Sequence, residues 1–324
     1  MTLSAEAHVG SRASSDPSGS VGGENALGRA LGLLGDEWTL LILQQELLGL
    51  TRFSDLRSAI GISDAVLNDR LRRLTASGLL ERRIYQQTPL RAEYVLTASG
   101  RATWPVLLGI WAWERRWVDG RAAELPGMVH SACGQAFSPV TTCGSCREPV
   151  TLADVDAEWG PAGGWARSIP QARTRRRSGS ASDGSGRFPE TMAILGNRWS
   201  SALVAAALLG TQRFSEFEQR LGIPAALLSE RLTSFRDADV MVAVPQPGRS
   251  DRHDYVLTDK GRALLPLVLS LVAWAQTRFG RSDGVAIELT HRSCGHPLDP
   301  RLACDRCGEV LAAADVQLEP DGRI

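Results

Sequence analysis

Lysine is almost absent: Lys260 stands alone among 36 basic residues, and arginine supplies the rest. An excess of either charge is absent too, because 36 acidic residues bring the formal net charge to zero. That balance argues, at the level of the whole chain, against nucleic acid as a partner. No run of 18 apolar residues occurs, which excludes an ordinary membrane-spanning helix. The opening stretch over 1–23, small and polar, lacks the apolar centre of a secretory leader and reads as a disordered tail. Also missing are a phosphate-cradling glycine loop, a Gly-x-Ser-x-Gly elbow and a spare cysteine beside a base, so an enzyme is the least supported reading. A cytoplasmic protein is expected.

What is present is written twice. Of 324 residues, 43% are apolar, enough for two packed domains. Trp38 and Trp199 are 161 residues apart, and the same offset relates Arg52-Phe53-Ser54 to Arg213-Phe214-Ser215 and Tyr94-Val95-Leu96-Thr97 to Tyr255-Val256-Leu257-Thr258. It also carries Trp113 to Trp274 and His130, Cys133, Cys143 and Cys146 to His291, Cys294, Cys304 and Cys307. A gap-free repeat of this length means two structural units. The expected divisions are domain 1 over 24–120 with a cysteine module over 121–159, then domain 2 over 188–281 with a second module over 282–324. Residues 160–187, rich in Gly, Ser and Arg, are expected to be a flexible linker.

In copy 1, apolar side chains at helical spacing over 27–48 predict one or two amphipathic helices. Ser54 is the expected N-cap of a short helix over 55–60, and in copy 2 Ser215 with Glu218 suggests a capping box. Gly61-Ile62 turns the chain, and Ser63 caps a helix reaching about Ser77. Strands over 79–85 and 93–97 flank a hairpin, and a long apolar helix over 98–118 closes the unit. Helix, turn, helix and hairpin in that order predict a winged helix-turn-helix: mainly α with small β wings, an α+β class.

On the helix from Ser63, Leu67, Leu71 and Leu74 form the core seam, leaving Ala65, Asn68, Asp69 and Arg72 on the opposite face. In the winged context that stripe is expected to enter a major groove of double-stranded DNA, where Asn68 suits adenine. Ser63, Arg73 and the wing residues Arg82, Arg83 and Arg91 complete the expected surface. The offset adds Ala226, Ser229, Glu230, Thr233, Arg249 and Arg252 from copy 2. Arg70 and Arg231, at the seam's edge, are expected to be structural or to clamp phosphate. Between Asp64 and Arg91 six basic residues face three acidic ones, whereas Ala225–Arg252 holds four of each. Copy 1 should therefore dominate DNA affinity, helped by Arg173, Arg175, Arg176 and Arg177 of the linker.

Gly35-Asp36-Glu37-Trp38, Arg52-Phe53-Ser54-Asp55-Leu56, Gly61-Ile62-Ser63 and Glu93-Tyr94-Val95-Leu96-Thr97 with Gly100 resemble the HxlR-type winged-helix regulators, relatives of the MarR family. The resemblance covers about 27–118 and again about 188–279. It implies transcription regulators that bind operators as homodimers through their terminal helices. Copy 2 departs from the pattern at Pro224, in place of Ser63, and at Asp239, in place of Gly78.

Each tail carries His-x2-Cys, nine residues, then Cys-x2-Cys: His130, Cys133, Cys143 and Cys146, and again His291, Cys294, Cys304 and Cys307. Four such ligands suit a closed structural zinc site, so two sites are expected, one per copy. A redox switch and a degenerate metal-free tail are the competing readings. The modules are net acidic, by three charges over 128–158 and two over 289–319, which disfavours phosphate contact. Trp104, Trp111, Trp113 and Trp117 crowd the closing helix, with Trp274 in copy 2. They are either core and interface or a pocket for a small aromatic effector. If the closing helices pair, one chain mimics a dimer, and an imperfect inverted-repeat operator follows; a homodimer of the chain is the other arrangement. The rival function is a protein that sequesters a small molecule.

Overall fold

The structure is a computed structural model that describes residues 23–170, 188–280 and 284–319. Residues 1–22 of the expected tail over 1–23 and the four linker arginines 173 and 175–177 lie outside the described residues. Copy 1 runs α1 (Ala26–Leu34), α2 (Glu37–Leu47), α3 (Phe53–Ile60), α4 (Asp64–Ala76), β1 (Leu80–Gln86), β2 (Arg91–Leu96), α5 (Ala98–Arg101), α6 (Trp104–Trp117) and α7 (Arg121–Glu124). Its tail adds β3 (Met128–His130), β4 (Gln135–Ala136), β5 (Pro139–Cys143) and β6 (Val155–Trp159), followed by α8 (Trp165–Ser168). Copy 2 repeats the plan with α9 (Pro189–Leu195), α10 (Arg198–Leu208), α11 (Phe214–Leu221), α12 (Ala225–Asp237), β7 (Met241–Gln246), β8 (Arg249–Leu257), α13 (Asp259–Arg262) and α14 (Leu265–Phe279). Its tail holds β9 (Ile287–His291), β10 (Pro300–Cys304) and β11 (Val316–Leu318).

Local chemistry sets the boundaries. Asp36 caps α2 by accepting from the Thr39 amide and hydroxyl, at 3.3 and 3.0 Å, which splits the first helical stretch in two. Gly61 ends α3 at φ +73°, a conformation that favours glycine. Asp239 adopts φ +55° where copy 1 has Gly78 at +72°, so the substitution keeps the left-handed turn. Three expectations are corrected. The cap of α3 is Arg52 rather than Ser54, whose hydroxyl turns to Asp55 instead. In copy 2 the box is closed by Glu216 on the Arg213 amide, not by Ser215 and Glu218. The long closing helix is broken at Ala102–Thr103, because Pro105 has no amide to continue the ladder and starts a new helix.

The linker boundary also moves. Residues 160–170 are folded against copy 1: the Asn25 side chain donates to Ser168 Oγ at 2.8 Å and to the Ala162 carbonyl at 3.3 Å. Trp165 is buried edge-on to Trp159, centroids 5.0 Å apart. A tryptophan and an isoleucine among glycines suffice to fix that segment, which composition alone reads as flexible.

One apolar core runs through both copies, from Leu40, Leu71 and Ile110 to Leu203, Leu232 and Leu271. α6 packs on α14, and α1 packs on α14 as well. The tails are interleaved. β5 pairs antiparallel with β10, β3 with β11, and β6 with β9; among the described residues only β3–β4 joins two of these strands within one tail.

Within copy 1, Glu46 is buried, and neither carboxyl oxygen has a hydrogen-bond partner. Burial, with the Glu93 carboxylate nearby, pushes it up to about 8. The folded chain therefore keeps a proton that the unfolded chain loses near 4.5. Stability is undiminished by this group below that pH and falls as pH rises towards about 8. Glu46→Gln should match the parent at about pH 4 and gain about 3 kcal/mol over it by about pH 8, measured by urea unfolding of the intact chain. A pH-independent difference would contradict this assignment.

Candidate nucleic-acid interface and metal centres

α4 and the copy 1 wing enclose an open trough of about 770 Å³, lined by Ala65, Asn68, Asp69, Arg72, Thr75, Ala76, Arg82 and Tyr94. Leu67, Leu71 and Leu74 are buried, so the opposite face of α4 is free to line it. Ser63, Ala65, Asn68, Arg72, Arg73, Arg82, Arg83 and Arg91 are all exposed. Asn68 is anchored by donating to the Asp64 carbonyl at 2.9 Å.

Asp69 has a different place from the rest of the stripe. It holds three guanidiniums: Arg70 at 2.7 Å, Arg72 at 2.6 Å and Arg73 at 2.9 Å. Burial works in the other direction, but Arg73, Arg70 and Arg72 together hold its carboxyl below the usual range. The residue arranges the arginines of the surface. Arg70 in turn is bound to both carboxylate oxygens of Asp36, the α2 cap, so α4 is tied to α2. Tyr94 and Thr75 were missed by helical-face reasoning; the trough draws Tyr94 from the wing strand, and its only sequence signal is recurrence as Tyr255.

The copy 2 surface is built alike, but its basic and acidic residues balance. Ala226, Ser229, Glu230, Thr233, Arg249 and Arg252 are exposed, yet Ser229 and Thr233 stand where copy 1 has Asn68 and Arg72. Arg231 pairs with Glu230 at 2.5 Å, since Asn197 replaces the Asp36 that holds its counterpart.

Eight cysteine and histidine residues form two groups, and each group draws on both tails. His130 and Cys133 meet Cys304 and Cys307; Cys143 and Cys146 meet His291 and Cys294. The expectation of a self-contained ribbon per tail is thereby corrected, although two groups for two copies remain. The cause is the antiparallel β5–β10 pair, which sets Cys143 opposite Pro300 and Cys304 opposite Pro139. Each Cys-x2-Cys turn then lies beside the other tail's His-x2-Cys turn. His296, exposed and bonded to the Cys294 carbonyl, joins neither group.

The donor geometry fits a tetrahedral cation. Cys133 Sγ lies 4.0 Å from Cys304 Sγ and 3.6 Å from His130 Nδ1, and Cys307 Sγ lies 3.3 Å from that nitrogen. In the second group the corresponding separations are 4.0 Å for Cys143–Cys294 and 3.3 and 3.4 Å from His291 Nδ1 to Cys146 and Cys294. Zinc–sulfur bonds of about 2.3 Å and zinc–nitrogen bonds of about 2.0 Å give tetrahedral edges of about 3.5–3.8 Å. A disulfide would need sulfurs at about 2.05 Å. Burial alone would raise the Cys143 thiol, but the Cys146 and Ser145 amides hold it below its ordinary value. Amides of Cys307 and Arg306 do the same for Cys304 against its burial. Four protein donors leave no open coordination position, which suits a brace rather than a catalyst.

The tryptophans are placed by packing. Trp111 lies under the tails with Leu108, Phe137, Leu302 and Cys304, with Trp104 at the edge of that cluster. Trp113 donates to the Lys260 carbonyl at 3.0 Å, and Trp274 donates to the Ser99 carbonyl at 3.2 Å, the equivalent contact in reverse. Trp117 packs half-buried on the main core.

The model of the HxlR-like helix-turn-helix family matches residues 33–122 and 194–283. The HTH-type transcriptional regulator Rv3095 of Mycobacterium tuberculosis is 36% identical over 127 residues, 39% of this chain and 80% of its own length. The HTH-type regulator YvaP of Bacillus subtilis is 38% identical over 92 residues, 28% of this chain and 85% of its own. The crystal structure of PA1607 covers 44% of this chain and 97% of that one, at 34% identity and a TM-score of 0.37.

Proposed function

Because the chain belongs to the HxlR-like helix-turn-helix family, and so is a transcriptional regulator rather than an enzyme, we propose that it binds double-stranded DNA as an intramolecular pseudo-dimer. The target is an imperfect inverted repeat with half-sites about one helical turn apart. The observation that carries this reading is the packing of α6 on α14 within one core, which gives two winged-helix units in one chain the relation of two subunits. The trough between α4 and the copy 1 wing takes the stronger half-site, and the copy 2 face, with no net positive charge, takes the weaker one. The two Cys₃His groups hold zinc, which braces the tails over α6 and α14. With the tryptophans engaged in packing, tuning by an aromatic ligand is no part of the proposal.

A mobility-shift selection on genomic fragments tests it. Specific fragments should shift, with a log–log salt slope of roughly −5 if about six phosphates are contacted. Failure to shift any fragment, together with tryptophan fluorescence quenched by a small molecule, would favour the sequestering reading instead.

A further inference from the structure

We propose that the interface between the two halves is built for unlike partners, so that copy 1 accepts copy 2 and rejects a second copy 1. This rests on the pseudo-dimer reading above and specifies which partner each half takes.

The metal ligands cannot make that choice, since both tails carry the same four residues at the same spacing. The reciprocal tryptophan bonds cannot either, because both end on backbone carbonyls. Two other contacts are asymmetric. Glu114 on α6 is fully buried, and its Oε1 accepts from the Thr191 amide at 2.8 Å and the Thr191 hydroxyl at 2.7 Å. Thr191, on α9 of copy 2, is itself fully buried. Arg121, from copy 1, lies 3.7 Å from the other carboxyl oxygen. By the 161-residue offset, the equivalent pair is Ala275 against Ala30, with no polar side chain on either side. The second contact is steric. A Cβ on Gly109 of α6 would sit 3.3 Å from Leu267 Cα and 3.5 Å from its Cβ on α14. The offset equivalents are Ser270 and Val106.

Pairing two copies 1 would bring Glu114 against Ala30 twice, removing the hydroxyl donor from a buried carboxyl, and Gly109 against Val106, a smaller knob. Pairing two copies 2 would leave the buried Thr191 amide and hydroxyl facing Ala275, and would set Ser270 against Leu267, where a Cβ at 3.3 Å makes a tighter than ordinary contact. Unsatisfied buried polar groups and overpacking both disfavour the like pairs, whereas the unlike pair gives Glu114 Oε1 both Thr191 donors and sets Gly109 against Leu267.

The test begins from the intact chain carrying a specific protease site within 178–186, cut after folding. The nicked protein is unfolded in urea, refolded with zinc and weighed by native mass spectrometry. Unlike pairs should exceed about nine in ten, against about half for unbiased reassortment. Glu114→Ala should let pairs of copy 1 appear, raising like pairs severalfold. A wild-type mixture near the statistical ratio, or no change with Glu114→Ala, would overturn the selectivity while leaving the pseudo-dimer standing. Halves that separate on cutting would overturn both. A double-mutant cycle on the uncut chain needs no reassembly: Thr191→Ala should shift the unfolding equilibrium at least about tenfold more with Glu114 present than with Glu114→Ala, and additive effects would count against the pair.

Discussion

Replacing Cys133 and Cys304 together with serine should cost the chain one metal ion, whereas replacing Cys133 and Cys143 should cost it both. The first two residues lie 171 positions apart but share a group, with sulfurs 4.0 Å from each other. The second two are neighbours in one tail yet belong to different groups. Self-contained ribbons would give the opposite result, so elemental analysis of the two purified double variants separates the arrangements without ambiguity. The energetic effect should be large. Structural zinc contributes roughly 10 kcal/mol or more of binding energy to the folded state of small modules. Here each ion would also join chain segments from different halves. Losing the group at Cys304 would uncover Leu108, Trp111 and Phe137 on and beside α6. The Cys133/Cys143 variant should therefore unfold at much lower urea, and it should do so through separation of the tails. Two ions retained in both variants would refute these groups as metal sites.

The second large effect concerns DNA. Reversing the charge of Arg82 and Arg83 should weaken binding about 100-fold or more, while reversing Arg249 and Arg252 should cost less than about tenfold. Arg82 lines the trough beside Arg72 and Asn68. The residues standing at those places in copy 2 are Ala243, Thr233 and Ser229. Fluorescence anisotropy at one fixed salt concentration measures both variants, with circular dichroism confirming the fold. Equal losses would remove the functional asymmetry of the halves.

Much of this was legible in the repeat. The helix-turn-helix, the wing and the core seam of α4 follow from apolar spacing and a few turn residues, because those elements are set by local contacts. The choice of metal partners was not legible, for a definite reason. A Cys-x2-Cys of one tail is chemically the same partner for either His-x2-Cys, so only the antiparallel β5–β10 pairing decides between them. The break of the closing helix was available from Pro105, whose meaning a strong apolar run obscures. The folding of 160–170 depends on where Ser168 and Asn25 find each other, 143 positions apart, which composition does not encode. Asp69 shows the reverse difficulty. Its position opposite the core seam follows from helical spacing, but three arginines claim its carboxylate and leave it half-buried. The zero net charge stands as the plainest case: acidic tails offset a basic wing region, so the sum conceals a segregated pattern.

The central claim is that one chain supplies both halves of a DNA reader. Selection of bound sequences with the intact chain, followed by sedimentation of the complex on the selected duplex, tests it most directly. The account predicts two unequal half-sites about one helical turn apart, occupied by a single chain. A perfect palindrome that requires two chains for each duplex would contradict it.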